Sequence, residues 1–223
     1  MENSFWINTS TRKTIELSFD EIADRLFNKY ILSFNSTIYR IVDIEFYYYT
    51  KDEDLFKDEY AHKNDVQRTN GKWYFHPSGI DITIGNSVHF GGILLRGLVK
   101  LSESDFTIQK EIHGPQKIVT ELFSNAFDVF SGNIEIKLVD IEKFGLNENK
   151  NYKQNSIKTT RINLAIERDE TEEKNFYHGD YRYLILPSLK HAEKTKIANK
   201  MREQFNHLTI DQINKELGSK FLK

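Results

Sequence analysis

T-I-Y-R-I-V-D-I-E-F-Y-Y-Y, running from Thr37 to Tyr49, is dominated by β-branched and aromatic residues and reads as one long strand. Side chains alternate across a strand, so Arg40, Val42, Ile44, Phe46 and Tyr48 share one face. Ile41, Asp43, Glu45, Tyr47 and Tyr49 share the other. The first face is mostly apolar and belongs to a core. The second carries two carboxylates and two phenols, so it is either solvated or lines a cleft.

Upstream, Ser18 and Glu21 have capping-box spacing, and Ile22, Ala23, Leu26, Phe27 and Tyr30 recur at helical intervals, predicting a helix over Ser18 to Tyr30. Downstream, Lys51 to Asn70 is a charged loop with a short helix at Asp54 to His62. Gly71 to Gly79 brings aromatics and a turn, and I-D-I-T-I (Ile80 to Ile84) is a short strand. After the Gly91-Gly92 break, Ile93 to Leu101 is a second apolar strand with Arg96 in its middle. Gly114-Pro115 opens a helix whose apolar positions run from Ile118 to Phe127. Asn133 to Ile141, Arg161 to Ile166 and Tyr181 to Leu186 read as further strands, with a polar loop at Asn147 to Asn155. Beyond Pro187 strand signals stop. Two helices follow, the second capped by Thr209 and Gln212, in a stretch from Lys190 holding eight Lys/Arg against four Asp/Glu. The expected organisation is an α+β domain over residues 1–187 with a helical C-terminal extension over 188–223.

Composition bounds the possibilities. The 223 residues are 39% hydrophobic and 29% charged, which suits a folded domain rather than bulk disorder. No apolar run approaches the roughly 18 residues of a membrane span, and the N-terminus lacks the pattern of a secretory signal, so no membrane partner is expected. With no cysteine, disulfides, thiolate nucleophiles and Cys-based zinc sites are excluded, which fits a cytoplasmic protein. The net charge of −2 is unusual for a dedicated nucleic-acid binder, so any DNA-binding face must concentrate its basic residues.

Two residues stand out chemically. Glu45 is a carboxylate among aromatic and aliphatic neighbours, an environment that can equip it as a general base; the competing reading is the wet side of an edge strand. Arg96 inside an apolar strand needs a carboxylate or phosphate partner, and Glu45 can supply it. His76 and Asp81 could meet at a metal with Glu45 or His62, but no metal-binding histidine spacing is present. The aromatic stretches Phe46 to Tyr49 and Trp73 to Phe75 offer rings for a core or for stacking on bases.

The order of motifs goes further. R-I-V-D-I-E-F-Y (Arg40 to Tyr47) resembles the R-I-V-E-T-E-A-Y segment of alkyladenine (3-methyladenine) DNA glycosylases. D-E-Y-A-H (Asp58 to His62) is similar to their D-E-A-A-H, and G-G-I-L-L-R-G-L (Gly91 to Leu98) to their V-L-L-R-A-L strand. G-P-Q-K-I-V-T-E-L (Gly114 to Leu122) resembles G-P-S-K-L-C-Q-A-L, while T-R-I-N-L (Thr160 to Leu164) and Y-R-Y-L-I (Tyr181 to Ile185) fit the closing strands. The matches keep one order over roughly residues 15–187.

The resemblance implies a single α+β domain around a curved, mostly antiparallel sheet, like formyltransferase C-terminal domains. It implies a monomeric enzyme that flips a damaged purine nucleotide out of DNA and hydrolyses its glycosidic bond. By carry-over Glu45 activates water and Arg96 helps hold that water and a nearby phosphate; Tyr47 and His62 sandwich the base. The family's tyrosine-rich strand is replaced here by G-I-D-I-T-I-G-N (Gly79 to Asn86), which makes Phe75 the candidate third wall. No metal or organic cofactor is implied. The alternative function is a non-catalytic nucleic-acid or protein binding module on the same fold. A metal-dependent hydrolase using His76 and Asp81 is the third reading.

Overall fold

The computed structural model describes residues 5–51, 55–124, 132–146 and 152–222. Its first helix, α1 (Arg12–Asn28), begins six residues before the expected Ser18. A capping box between Thr11 and Thr14 starts it, and Ser18 lies buried in its interior, where its hydroxyl donates to the Thr14 carbonyl at 2.8 Å. Ser18 and Glu21 have cap spacing, but the earlier pair satisfies the first backbone donors and the helix runs through.

β1 (Tyr30–Phe34) turns at Asn35, held at φ +52°, into β2 (Thr37–Tyr49). Then follow β3 (Asn70–His76), β4 (Gly79–Ile84), β5 (Phe90–Leu101), β6 (Ile108–His113), the helix α2 (Pro115–Leu122), β7 (Ile136–Asp140), β8 (Ile157–Thr159) and β9 (Arg182–Leu184). All pairings are antiparallel, in the order β3-β4-β5-β2-β1-β7, with β6 on β5 and a β8–β9 pair on β2. The domain is a single α+β unit whose sheet curls into a half-barrel. The two ends of the strand path meet, the Trp73 indole of β3 donating to the Ile136 carbonyl of β7 at 3.0 Å. Among the described residues no helix is long and apolar enough to cross a membrane.

α1 lays Phe19 flat on Phe46 of β2, with ring centroids 4.5 Å apart, and Phe56, Tyr181 and Tyr48 meet Phe19 edge-on. This aromatic cluster fixes the face of β2 predicted to be apolar.

Three expected elements differ. Residues 55–62 form turns and an isolated bridge between Lys57 and Tyr49, not a helix; Asp54 lies outside the described residues. Arg161 to Ile166 is not a strand: Asn163 adopts the left-handed conformation (φ +59°), which breaks extended pairing, and β8 lies just before it. The α2 helix ends at Leu122; the further apolar positions Ala126 and Phe127 lie outside the described residues.

The C-terminal segment is docked, not free. Helices α3 (Lys194–Gln204) and α4 (Ile210–Glu216) bury Ile197, Ala198, Met201, Ile213 and Leu217 against Ile157 and Leu184. Just before α3, His191 reaches Asp43 in the middle of β2 (3.3 Å), while its other ring nitrogen faces the Ile185 carbonyl at 3.0 Å. Arg182 completes a two-pronged pair with Asp43 at 3.0 and 2.7 Å.

Burial alone would raise the Asp43 carboxyl, but Arg182 and His191 outweigh it and hold it well below the usual carboxylate range. A depressed folded-state pKa means the stabilisation is complete above the unfolded value, about 3.9, and is lost as pH falls below it. In urea titrations the wild type should weaken steeply below about pH 4. Asp43→Asn should start less stable and lose less over the same interval. An identical acid profile for both would show that the pair has no net effect.

Candidate active site

Glu45 sits on β2, a strand flanked on both sides, and its side chain is entirely removed from solvent. The solvated edge-strand reading is thereby excluded. Three donors converge on its carboxylate: the Ile162 backbone N–H on Oε1 at 2.9 Å, the Tyr47 hydroxyl on Oε2 at 2.7 Å and Arg96 Nη1 on Oε2 at 3.2 Å. An ionised carboxylate offers about four acceptor positions, so Oε1 retains one.

The pairing of β2 with β5 explains how Arg96 arrives there. Ile44 pairs with Leu95 and Asp43 with Gly97, which leaves Arg96 as the extra residue of a bulge. Leu94 pairs directly with Glu45, and Arg96, two residues on, shares its face. The same face continues into β4, where Asp81 pairs with Leu94. Arg96 Nε is buried with no hydrogen-bond partner.

A cavity of about 320 Å³ opens over this face, within the range of small-ligand sites. Tyr47, Arg96 and Ile162, the three residues that bond Glu45, all line it, so the carboxylate lies one layer beneath the wall. Burial, then the neighbouring Glu45, pushes the Tyr47 phenol far above its usual range and keeps it a neutral donor.

His76, Asp81, Gln67 and His62 also line the cavity. His76 Nε2 meets Asp81 Oδ1 at 2.9 Å, and Gln67 Nε2 donates to Asp81 Oδ2 at 3.1 Å. Gly92 makes room for this pair, because a Cβ there would lie 2.5 Å from the Asp81 carboxylate and 2.7 Å from Gln67. The His62 ring stands edge-on to His76 at 4.3 Å, and Tyr74 stacks on His76 at 5.0 Å. Burial, followed by His76, moves His62 below the ordinary histidine range, which favours its neutral ring.

His62, His76 and Asp81 bring possible metal-ligand atoms within 4.8 Å of one another. The hydrogen bonds argue for a different use. His76 Nδ1 accepts the Ser78 N–H at 3.3 Å, so the ring hydrogen sits on Nε2 and points at Asp81. A metal on Nε2 would require the reverse, with Nδ1 donating outward.

Thus Glu45, Arg96, Tyr47 and His62 are brought together. Phe75 is not: it alternates away from Tyr74 and His76, is 43% exposed and packs edge-on against Phe123 at 5.5 Å, outside the cavity. Sequence reasoning missed Tyr60, Gln67, Asn163 and Arg168, which also line it. It also missed Arg161, fully buried behind Tyr47. Arg161 grips Asp58 through two bonds (2.6 and 3.1 Å) and donates to the Phe46 and Phe176 carbonyls at 3.0 and 2.9 Å. That anchorage places the next residue, Ile162, on Glu45.

No family model matches the sequence. An uncharacterized protein of Acanthamoeba polyphaga mimivirus is 26% identical over 209 residues, a span covering 80% of this chain and 91% of that protein.

Proposed function

We propose that the protein is a monomeric, cytoplasmic N-glycosylase that hydrolyses the glycosidic bond of a damaged purine nucleotide flipped out of DNA. The observation that supports it most is the convergence of Arg96, Tyr47 and the Ile162 amide on a buried carboxylate directly under a base-sized cavity. Random placement of an ionisable side chain in a strand centre is costly, and three matched donors offset that cost. In this reading the free acceptor position on Glu45 Oε1 orients a water toward C1′ of the sugar. The water oxygen bonds to C1′ as the bond from C1′ to the base nitrogen breaks, the electron pair of the broken bond leaves with the base, and the water's proton passes to Glu45. Arg96 Nε, buried without a partner, supplies the remaining donor for the water or an adjacent phosphate oxygen. Tyr47 and His62 stand on the cavity wall as the faces against which the base packs.

The second reading, a binding module on the same fold, is favoured by the net charge of −2. Base release separates the two. Oligonucleotides carrying methylated purines, hypoxanthine or ethenoadenine are incubated with wild type and with Glu45→Gln. Release by wild type that disappears in the variant is the expected result. DNA binding without release by wild type would leave the binding module as the function.

A further inference from the structure

The sheet curls until its two end strands face each other, yet they do not pair. β7 bonds to β1 on one side, and among the described residues its other side is met by a single side-chain donor, the Trp73 indole. The register shows which backbone groups this leaves open. The Asn35 N–H donates to the Glu135 carbonyl at 2.8 Å and the Ile141 N–H to the Lys29 carbonyl at 3.0 Å, so the odd-numbered residues of β7 bond to β1. Hydrogen-bonded positions alternate in an antiparallel pair, so Ile136, Leu138 and Asp140 turn their N–H and C=O groups outward. The Trp73 indole N–H takes the place on the Ile136 carbonyl that a neighbouring strand's amide would fill. The N–H and C=O of Leu138 have no partner among the described residues.

Beside this edge lies a gap of about 320 Å³. Phe5, Tyr30, Trp73, Ile82, Ile136 and Leu138 line it, so apolar side chains flank a row of open backbone groups. Phe5 is fixed there by Asn70, whose side chain accepts the Phe5 N–H at 3.0 Å and donates to its carbonyl at 2.6 Å. Two exposed lysines, Lys72 and Lys137, complete the lining. Lys137 pairs with Glu135 at 2.8 Å, whereas Lys72 has no carboxylate partner among the described residues. An open sheet edge is a template for another strand, and proline or a bulge would blunt it. β7 reads I-K-L-V-D and pairs with β1 in regular register throughout, with neither device.

We propose that this edge of β7 binds an extended peptide segment of a partner protein. The segment adds as a strand to β7, sets apolar side chains at every second position into the gap and meets Lys72 with an acidic residue. Backbone groups at strand spacing call for another backbone; the apolar lining and Lys72 then select among sequences. The gap shares no lining residue with the cavity over Glu45, so peptide binding and base release are separable.

The probe is a phage-displayed library of short random peptides, panned on the wild-type chain; the peptides recovered are then synthesised. They should alternate apolar with polar residues and carry an acidic group. In the free protein the amides of Leu138 and Asp140 should exchange hydrogen quickly and those of Lys137 and Val139 slowly; bound peptide should slow the first pair. Leu138→Pro removes an outward N–H and none of the bonds to β1, a position where an edge strand tolerates proline. It should weaken binding by about tenfold or more, the scale of a lost ladder hydrogen bond with a ring in the incoming strand's path. Leu138→Ala keeps the N–H and should bind better than Leu138→Pro. Lys72→Glu should weaken binding by about two- to fivefold, the scale of one exposed ion pair. The exchange pattern is read on the wild type and stands whether or not the proline variant folds. Slow exchange at Leu138 and Asp140 in the free monomer would mean that the chain covers its own edge, and overturns the proposal. Protection that appears only as the protein dimerises gives the edge to a second copy and overturns it too. So does a library that yields no binder, a binder that protects other amides, or equal binding by Leu138→Pro and Leu138→Ala.

Discussion

Glu45→Gln should lower base release by about 10²–10⁴-fold, the usual contribution of a positioned general base. The same substitution should weaken the fold, because no orientation of the amide suits the site. With its NH₂ toward Tyr47 and Arg96, it sets a donor against the guanidinium that Oε2 now accepts. Turned over, it sets the donor against the Ile162 N–H. Either way the buried Arg96 charge loses its counter-ion, a situation that typically costs about 3–5 kcal/mol. The measurement is single-turnover release at a temperature where circular dichroism shows the variant folded, beside its urea midpoint. Release at the wild-type rate would remove Glu45 from the chemistry. Unchanged stability would mean that its three bonds contribute no net energy.

Arg161→Ala should destabilise the protein by about 3–5 kcal/mol. Arg161 and Asp58 are both fully buried, and truncating the arginine takes the counter-ion from the Asp58 carboxylate, which keeps only the Tyr60 N–H on Oδ1 at 3.2 Å, and removes the guanidinium donors from two backbone carbonyls. For a chain of this size each kcal/mol moves the melting temperature by roughly 2–4 °C, so a fall of about 6–20 °C is expected. Asp58→Leu alone should be comparably damaging, since it strands the guanidinium. The double replacement Arg161→Leu with Asp58→Leu should recover part of the loss, because a buried pair exchanged for apolar groups is often neutral. Scanning calorimetry of the three variants checks this. Additive losses in the double variant would mean that the pair does not act as a unit.

Much of this fold was legible in local pattern. The alternation in β2 and the apolar run of β5 announced the two central strands, and the Thr209–Gln212 cap announced α4. Glu45 and Arg96 could be singled out because charge within an apolar strand is conspicuous. Tyr60, Gln67, Arg161 and Arg168 carried no such mark. Their surroundings are polar in sequence, and their roles arise from contacts across long separations, such as the 103 residues between Asp58 and Arg161. The false strand at Arg161 to Ile166 has the same origin: Ile162 and Leu164 line the cavity from a bend, where neighbours distant in the chain, not period-two pairing, set the backbone. Phe75 was misplaced because a register cannot be read before the turn that fixes it.

The partners of Asp43 and Glu45 have a further consequence, for the order in which the chain is made. Ile162, Arg182 and His191 follow their partners Glu45 and Asp43 by 117 to 148 residues. A nascent polypeptide emerges from the ribosome N-terminus first. Until the last of these residues appears, β1 to β6 contain carboxylates that cannot be buried without penalty, and the strands must stay loose around them. Closure of the sheet therefore waits for the late segment. An unfinished chain has neither a settled core nor an ordered Glu45 carboxylate.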